Sequence, residues 1–125
     1  MPVRKILVVD DSPTDRQFML ETLAKKGYQV VTAENGEDAI VKAKSELPDL
    51  ILMDVVMPGL NGYQATRQIT RDDATKHIPV IMCTILAEPR FVAKATELGA
   101  VGFIGKPFKP EAVVKTIRGT LDASG

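Results

Sequence analysis

Short runs of aliphatic residues alternate along the chain with longer segments in which apolar and polar positions follow a helical period. The runs KILVV, QVVTA, LILM, PVIMC and VGFI predict five strands, at residues 5–9, 29–33, 50–53, 79–83 and 101–104. At least three of these runs are apolar at consecutive positions. That pattern is typical of strands covered on both faces, and therefore of a parallel sheet between helices.

Helix-start signals fall between the strand runs. Ser12 followed by Pro13 predicts an N-cap and a first-turn proline, Asn35 precedes a first turn that contains acids, and Pro89 and Pro110 suit first helical positions. We predict helices at residues 13–26, 36–46, 62–71, 89–98 and 110–121. The result is an α/β chain with the βα unit repeated five times, and we expect a single domain over residues 1–125.

Composition removes several classes of partner. Lysine plus arginine and aspartate plus glutamate number 16 each, so no net field draws the chain to nucleic acid or to an anionic membrane. The single cysteine, Cys83, excludes an internal disulfide, and its apolar surroundings predict a buried structural thiol. The first apolar run is too short for a signal peptide and no 18-residue apolar stretch is present, so we expect a cytoplasmic protein without membrane insertion.

Polar residues follow four of the five predicted strands. Asp10 and Asp11 come after the first strand, Asp54 after the third, Thr84 after the fourth and Lys106 after the fifth. Right-handed crossovers bring the carboxyl ends of parallel strands to one rim of the sheet, which is where open α/β sheets bind ligands. The sequence therefore predicts one polar site at that rim.

Three carboxylates held close together raise one another's pKa values or require a cation. A site with oxygen ligands favours a hard ion, and Mg²⁺ suits it because this ion takes one or two carboxylates and keeps several waters. Zinc is a poor candidate, since only His77 and Cys83 could supply nitrogen or sulfur. His77 lies in the polar stretch DATKHIP, where we expect it to be exposed and without a role.

Each of these residues also has a purely structural explanation. Asp10 or Asp11 could cap the helix that begins at Pro13, and an aspartate such as Asp54 often opens a turn before Pro-Gly. A threonine at a strand end and a solvated lysine are both ordinary. The joint placement of these side chains at four strand ends favours a functional site.

Four segments carry a resemblance to a known family: VVDDS, LILMDVVMPGLNGYQ, PVIMCT and GFIGKPF. They resemble the acidic pair, the phosphoacceptor segment, the hydroxyl position and the lysine-proline element of bacterial response-regulator receiver domains, over essentially the whole chain. The segment MPGLNGYQATRQ is similar to stand-alone receivers of the chemosensory systems that govern type IV pili and twitching motility. The resemblance implies a flavodoxin-like fold with strand order 2-1-3-4-5 and helices on both faces of the sheet.

The resemblance also implies a role for each site residue. Asp54 would take a phosphoryl group from a phosphohistidine of a sensor histidine kinase and form an acyl phosphate. Asp11 and Asp54 would bind Mg²⁺ directly, Asp10 would act largely through a metal-bound water, and the backbone carbonyl of Val56 would complete the protein's share. Lys106 would pair with a phosphoryl oxygen as a mobile point charge.

Signal output is implied in the same way. Thr84 would hydrogen-bond another phosphoryl oxygen, and Phe103 would follow it inward, although an aromatic strand residue such as Phe103 is also explained by core packing. The face built from the fourth helix, fifth strand and fifth helix would then change its affinity for a downstream motility protein. A monomer is expected, and the domain would promote its own phosphotransfer and dephosphorylation without being a free-standing enzyme.

Other function classes fit less well. A haloacid-type phosphatase needs a second acid two residues after its nucleophile, and position 56 is valine. A nucleotide-binding domain would carry a glycine fingerprint after the first strand, and VVDDSPTD contains no glycine. A phosphate-sink receiver, or a degenerate receiver that serves as a protein-interaction module, stays as an alternative. Mg²⁺ binding and phosphate incorporation from acetyl phosphate would exclude the degenerate form.

Overall fold

The computed structural model describes residues 4–55, 57, 59–84, 89–106 and 108–124, without the side chains of residues 84, 89–91, 123 and 124. Five strands alternate with five helices. Along the chain they are β1 (Lys5–Val9), α1 (Pro13–Ala24), β2 (Gln29–Ala33), α2 (Gly36–Glu46), β3 (Leu50–Asp54), α3 (Gly62–Arg71), β4 (Val80–Thr84), α4 (Pro89–Glu97), β5 (Gly102–Gly105) and α5 (Pro110–Ser124).

The strands form one parallel sheet in the order β2-β1-β3-β4-β5. Both the parallel sheet and the strand order are as predicted. All five residues of β3, at the centre of the sheet, are buried, whereas the edge strand β2 buries only its last residue. The continuous apolar runs therefore belong to strands that are covered on both faces.

Two hydrophobic clusters lie on opposite faces of the sheet, because alternate residues of a strand point to opposite sides. Leu7 of β1 joins a cluster with residues of α2, α3 and α4, while Ile6 joins a cluster with residues of α1 and α5. The helices thus divide three against two. Since α1 and α5 share one face, the β1–α1 and β5–α5 junctions lie on the same side of the carboxyl rim.

Polar caps fix where three helices begin. The side chain of Ser12 accepts from the backbone N–H of Asp15 with Pro13 in the first turn, and the side chain of Asn35 caps α2. Asn61 forms a reciprocal capping box with Gln64 at the start of α3. The helix starts predicted from Ser12, Asn35, Pro89 and Pro110 are confirmed.

Several predicted boundaries are wrong by one to three residues. The first helix ends at Ala24 instead of residue 26, because the chain turns there and reaches Gly27 at a φ of +88°, where glycine is favoured. Strands β4 and β5 each begin and end one residue later than predicted, β3 ends one residue later, α4 ends one residue earlier, and α5 extends to Ser124.

Among the described residues, no helix combines the length and the apolar character needed to cross a membrane.

Candidate functional site

Polar residues meet at the carboxyl rim of the sheet. Asp10 directly follows β1, Asp54 ends β3, and Lys106 directly follows β5. Strands β1 and β3 are hydrogen-bonded neighbours with Val9 opposite Met53, so Asp10 and Asp54 stand side by side. Thr84 ends β4 opposite Gly105. The structure therefore brings these strand ends to one rim, although the side chain of Thr84 lies outside the described residues.

Three carboxylates form an acidic cluster. Asp10, Asp11 and Asp54 each offer an oxygen, and these oxygens all lie within 4.8 Å of one another. Asp10 and Asp54 are only 3% and 4% exposed, whereas Asp11 is open to solvent. The backbone of Val56, predicted to contribute a carbonyl oxygen, lies outside the described residues.

The acidic cluster fits Mg²⁺ in its chemistry. All its donors are carboxylate oxygens, which are the ligands that hard cations prefer. One exposed carboxylate beside two buried ones leaves a side of the site open to the water that Mg²⁺ retains. Because two of the three charges are buried, a cation would also relieve their mutual repulsion.

Lys106 is the cation that the protein itself supplies. Its ammonium nitrogen lies 2.9 Å from Oδ2 of Asp10, 3.1 Å from Oδ2 of Asp15 and 3.5 Å from Oδ1 of Asp54. The side chains of Lys106, Asp10 and Asp54 are 14%, 4% and 6% exposed, so the pairs with Asp10 and Asp54 are shielded from water, whereas the side chain of Asp15 is 38% exposed. The alternative reading of Lys106 as an ordinary solvated lysine is wrong.

Asp15 is a member of this site that sequence reasoning missed. It occupies the third position of α1, and its carboxylate hydrogen-bonds the ammonium of Lys106. The signal was present: the Ser12-Pro13 start fixes where the first turn begins, and an acid in that turn lies close to the strand end that precedes it. Which neighbour it pairs with depends on how α1 is rotated against the sheet.

Hydrogen bonds to the carboxylate and to the backbone carbonyl hold Asp10 in place. Its Oδ1 accepts from the backbone N–H of Ser12 at 2.9 Å, its Oδ2 accepts from Lys106, and its carbonyl accepts from Arg16 at 2.7 Å. The N-cap of α1 is Ser12, so the alternative in which Asp10 or Asp11 caps that helix is wrong. Asp10 instead connects the end of β1 to the backbone of Ser12 and to the side chain of Lys106.

Burial and charge set the protonation of the site. Burial, and then the negative charge of Asp10, raise the pKa of Asp54 to about 7, while Lys106 pulls it down. For Lys106, burial alone would lower the pKa, but the hydrogen bond and charge of Asp10, with the charge of Asp54, raise it above its usual range. Lys106 therefore stays positive beside the carboxylates.

Close backbone contacts hold the loop that follows Asp54. The N–H of Gly62 donates to the carbonyl of Val55 at 3.0 Å, and a side chain at Gly62 would overlap with the carbonyl oxygen of Asp54. A side chain at Gly36 would likewise overlap with the carbonyl of Leu60. Glycine is needed at both positions because the neighbouring atoms are backbone and cannot move aside.

The remaining predicted residues lie as follows. Phe103, in β5, is partly buried and packs against the cluster formed with α2, α3 and α4. Cys83 is buried, and burial raises the pKa of its thiol far above the usual range, which confirms the structural reading. His77 is exposed, as predicted.

Comparison with known proteins shows which family has this fold and this site. The response regulator receiver domain family matches residues 6–118. The chain belongs to this family. The receiver is 46% identical to Protein PilH of Pseudomonas aeruginosa over 117 residues, covering 94% of this chain and 97% of PilH.

Two solved structures agree with the fold of the receiver. The chemotaxis protein CheY4 of Vibrio cholerae superimposes with a TM-score of 0.90 at 35% identity, covering 94% of this chain and 98% of that chain. CheY of Borrelia burgdorferi, solved in a CheX-CheY-BeF3-Mg²⁺ complex, gives a TM-score of 0.89 at 28% identity, covering 94% and 88%. Receivers are signalling modules of two-component systems that generally bind Mg²⁺ at an acidic site. The resemblance to receivers of the chemotaxis type is confirmed.

Proposed function

We propose that the receiver accepts a phosphoryl group on Asp54 from a phosphohistidine of a sensor histidine kinase and signals through a change in its protein-binding face. The observation that carries the proposal is the position of Asp54: buried at the end of the central strand, 3.5 Å from the ammonium of Lys106 and beside Asp10 and Asp11. The exposed Asp11 leaves an approach to this site from solvent.

The transfer step needs few covalent functions from the protein. A carboxylate oxygen of Asp54 attacks phosphorus, the bond between phosphorus and the histidine nitrogen breaks, and the imidazole leaves with that electron pair. Phosphoryl transfer has a loose transition state, so positioning and charge neutralisation provide most of the acceleration. Asp54 must be ionised to attack, and Lys106 favours the ionised form.

Mg²⁺ would be held by Asp11 and Asp54 directly, by Asp10 through a bound water, and by the carbonyl of Val56. When bound, the ion supplies positive charge beside the phosphoryl oxygens. Lys106 pairs with one phosphoryl oxygen and the hydroxyl of Thr84 donates to another. The all-oxygen donor set at the carboxyl rim supports this assignment.

For output, we propose that Thr84 and Phe103 move together and alter the face formed by α4, β5 and α5. The partial burial of Phe103 supports the proposal, because the side chain packs against the core without being enclosed by it. The downstream partner would be a motility protein, in keeping with 46% identity to PilH over 94% of the chain. CheY of Borrelia burgdorferi, seen with CheX, BeF3 and Mg²⁺, gives a family precedent for a protein partner.

We further propose that residues 1–125 act as one cytoplasmic, monomeric domain that binds neither nucleic acid nor membrane. A phosphate sink, which drains phosphoryl groups from the kinase, is a second candidate. The equal numbers of acidic and basic residues favour protein contacts over nucleic acid in either case.

The direct test is phosphorylation by acetyl phosphate in the presence of Mg²⁺, followed by intact-protein mass. The parent should gain one phosphoryl group and Asp54→Asn should gain none. Asp73→Asn is the matched control, because it removes a carboxylate that is 94% exposed and pairs only on the surface with Lys76. Phosphorylation of Asp54→Asn at the parent's rate would assign the site to another residue.

The metal site has its own test. Mg²⁺ should raise the melting temperature of the parent by mass action, since it binds the folded cluster. Asp11→Ala should remove that increment and leave the fold intact, because Asp11 is exposed. An equal Mg²⁺ effect in the parent and in Asp11→Ala would place the ion elsewhere.

A further inference from the structure

The resting partners of Lys106 are unequal. Its ammonium hydrogen-bonds Asp10 at 2.9 Å and Asp15 at 3.1 Å, while Asp54 lies farther away at 3.5 Å. One of the hydrogen-bonded carboxylates belongs to the β1–α1 junction and the other to the first turn of α1. The lysine that is needed at Asp54 is therefore held on the α1 side of the site.

Asp15 is well placed to act as an anchor. Its backbone N–H donates to the side chain of Ser12 at 3.3 Å, which fixes the first turn of α1 and the direction from which Asp15 reaches Lys106. Its side chain is 38% exposed, whereas that of Asp10 is 4% exposed. Water screens such a partly exposed pair, so this contact is weaker than the pair with Asp10 and breaks more easily.

An aromatic ring limits where the ammonium can go on the same side. The nitrogen of Lys106 lies 5.5 Å from the centre of the Phe108 ring, within the range of a cation–π contact. Phe108 in turn stacks on Phe18 of α1, with the ring centres 6.3 Å apart and the planes 10° from parallel. The ammonium thus has a carboxylate and a ring face on the α1 side.

The geometry points to Asp15 as a positioning residue that holds Lys106 at α1 and competes with a phosphoryl group on Asp54 for the ammonium. This inference rests on the proposed function, because it gives Lys106 the phosphoryl oxygen as its second partner. Asp10 stays paired with Lys106 in both positions. Asp15 is the partner that must be given up when the ammonium moves toward Asp54.

If Asp15 competes in this way, it lowers the rate at which Asp54 is phosphorylated. Asp15→Asn removes the competing charge, so the initial rate of phosphorylation by acetyl phosphate should rise about two- to fivefold, the range expected for one partly exposed ion pair. Asp15→Glu keeps a carboxylate at the same position and should restore the slower rate. Glu21→Gln is the matched control: it removes an acid from the same helix that hydrogen-bonds Gln17 and should leave the rate unchanged.

A second background separates an anchor from a simple repulsive charge. In Lys106→Met, the further change Asp15→Asn should give no gain in rate, because the lysine through which Asp15 acts is absent. A gain of the same size in that background would mean that Asp15 only repels the donor, and would overturn the inference. So would a gain with Glu21→Gln, or a parent-like rate in Asp15→Asn.

Thermal unfolding tests the anchor without phosphorylation. The changes in melting temperature caused by Asp15→Asn and Lys106→Met should be non-additive, since each removes the same contact; additive effects would contradict a working contact between the two side chains. Failure of the proposed function has a different signature, namely a parent that takes up no phosphate or an Asp54→Asn variant that takes it up normally. The inference alone fails when Asp54 is phosphorylated but Asp15→Asn leaves the rate unchanged and its effect on the melting temperature adds to that of Lys106→Met.

Discussion

Two junctions between a strand and a helix supply the acids of the site, and they are built differently. The β1–α1 junction needs only residues 10–12 and is organised by the side chains of Asp10 and Ser12, together with Asp15 in the first turn of α1. The β3–α3 junction takes residues 55–61, and close backbone contacts at Gly62 and Gly36 hold it. Hydrogen bonds and ion pairs of side chains stabilise the first junction. The second depends on glycines that let backbone atoms approach closely.

This difference predicts different responses to mutation. At the β1–α1 junction a carboxylate can become an amide of the same shape, and the loss is limited to that charge's contacts. At the β3–α3 junction an added methyl group meets backbone atoms, which cannot move without shifting the strand that carries Asp54. Mutations at the first junction should therefore change the chemistry of the site without unfolding the protein. Mutations at the second junction should affect both.

The largest effect is expected from Gly62→Ala. The new Cβ would overlap with the carbonyl of Asp54 and press on the backbone of Val55, so we expect a loss of about 4 kcal/mol in the free energy of unfolding. Urea unfolding measures it. Gly119→Ala is the matched control: its Cβ meets nothing within 4 Å, and alanine should stabilise α5 by about 0.5–1 kcal/mol. A loss below 1 kcal/mol for Gly62→Ala would mean that the backbone at the β3–α3 junction can move aside.

The next effect concerns the charged centre formed by Lys106, Asp10 and Asp54, where the two junctions meet. Lys106→Met leaves Asp10 and Asp54 buried without their cation, so stability at pH 8 should fall by about 3 kcal/mol without metal. Lys76→Met, which breaks only a surface pair with Asp73, should leave stability almost unchanged. Equal effects of the two lysine changes would mean that the centre is not electrostatically coupled. Added Mg²⁺ should recover part of the loss in Lys106→Met.

A third prediction follows from the pKa of Asp54. Because that pKa rises from 3.8 to about 7 in the folded state, the folded protein binds the proton more tightly than the unfolded chain does. The contribution of Asp54 to the free energy of unfolding should therefore fall as pH rises from about 4 to 7. Asp54→Asn cannot ionise, so in a chelator its free energy of unfolding should rise relative to that of the parent throughout that window, by up to about 1.4 kcal/mol for each pH unit.

Urea unfolding at several pH values measures the difference between the parent and Asp54→Asn. Titrating groups that do not interact with Asp54 are common to both proteins and cancel. Asp73→Asn is again the control, because it removes a carboxylate that is 94% exposed and lies outside the site. A constant difference between the parent and Asp54→Asn from pH 4 to 8 would mean that burial does not raise this pKa.

Sequence alone predicts much of this molecule, because the decisive signals are local. The apolar runs give the parallel strands, and a residue that follows a run must lie at the rim, which places Asp10, Asp11, Asp54 and Lys106 along one edge of the sheet. The strand order came from family resemblance, since nothing in the pattern of runs fixes which strands are neighbours. The start of α1 at Pro13 was equally readable from its cap.

What sequence reasoning missed depends on how packed elements are rotated and spaced. The pairing of Asp15 with Lys106 needs the orientation of α1 over the sheet, and the contact at Gly62 needs the path of the loop behind Asp54. That Asp10 is buried while Asp11 is exposed follows from the direction in which β1 ends. A sequence shows which side chains reach the rim, but not which of them turn inward.

The smallest effect compares the helix caps of the two junctions. Asn61 and Gln64 exchange two hydrogen bonds of 3.0 Å, whereas Ser12 accepts one bond of 3.3 Å from Asp15. Asn61→Ala should therefore cost about 1 kcal/mol and Ser12→Ala about 0.5 kcal/mol, by urea unfolding. The backbone N–H of Ser12 would still donate to Asp10, so the side-chain junction keeps much of its order when the cap is lost. If Ser12→Ala costs more than Asn61→Ala, the charges at the β1–α1 junction depend on its cap, and the two junctions differ less than their contacts indicate.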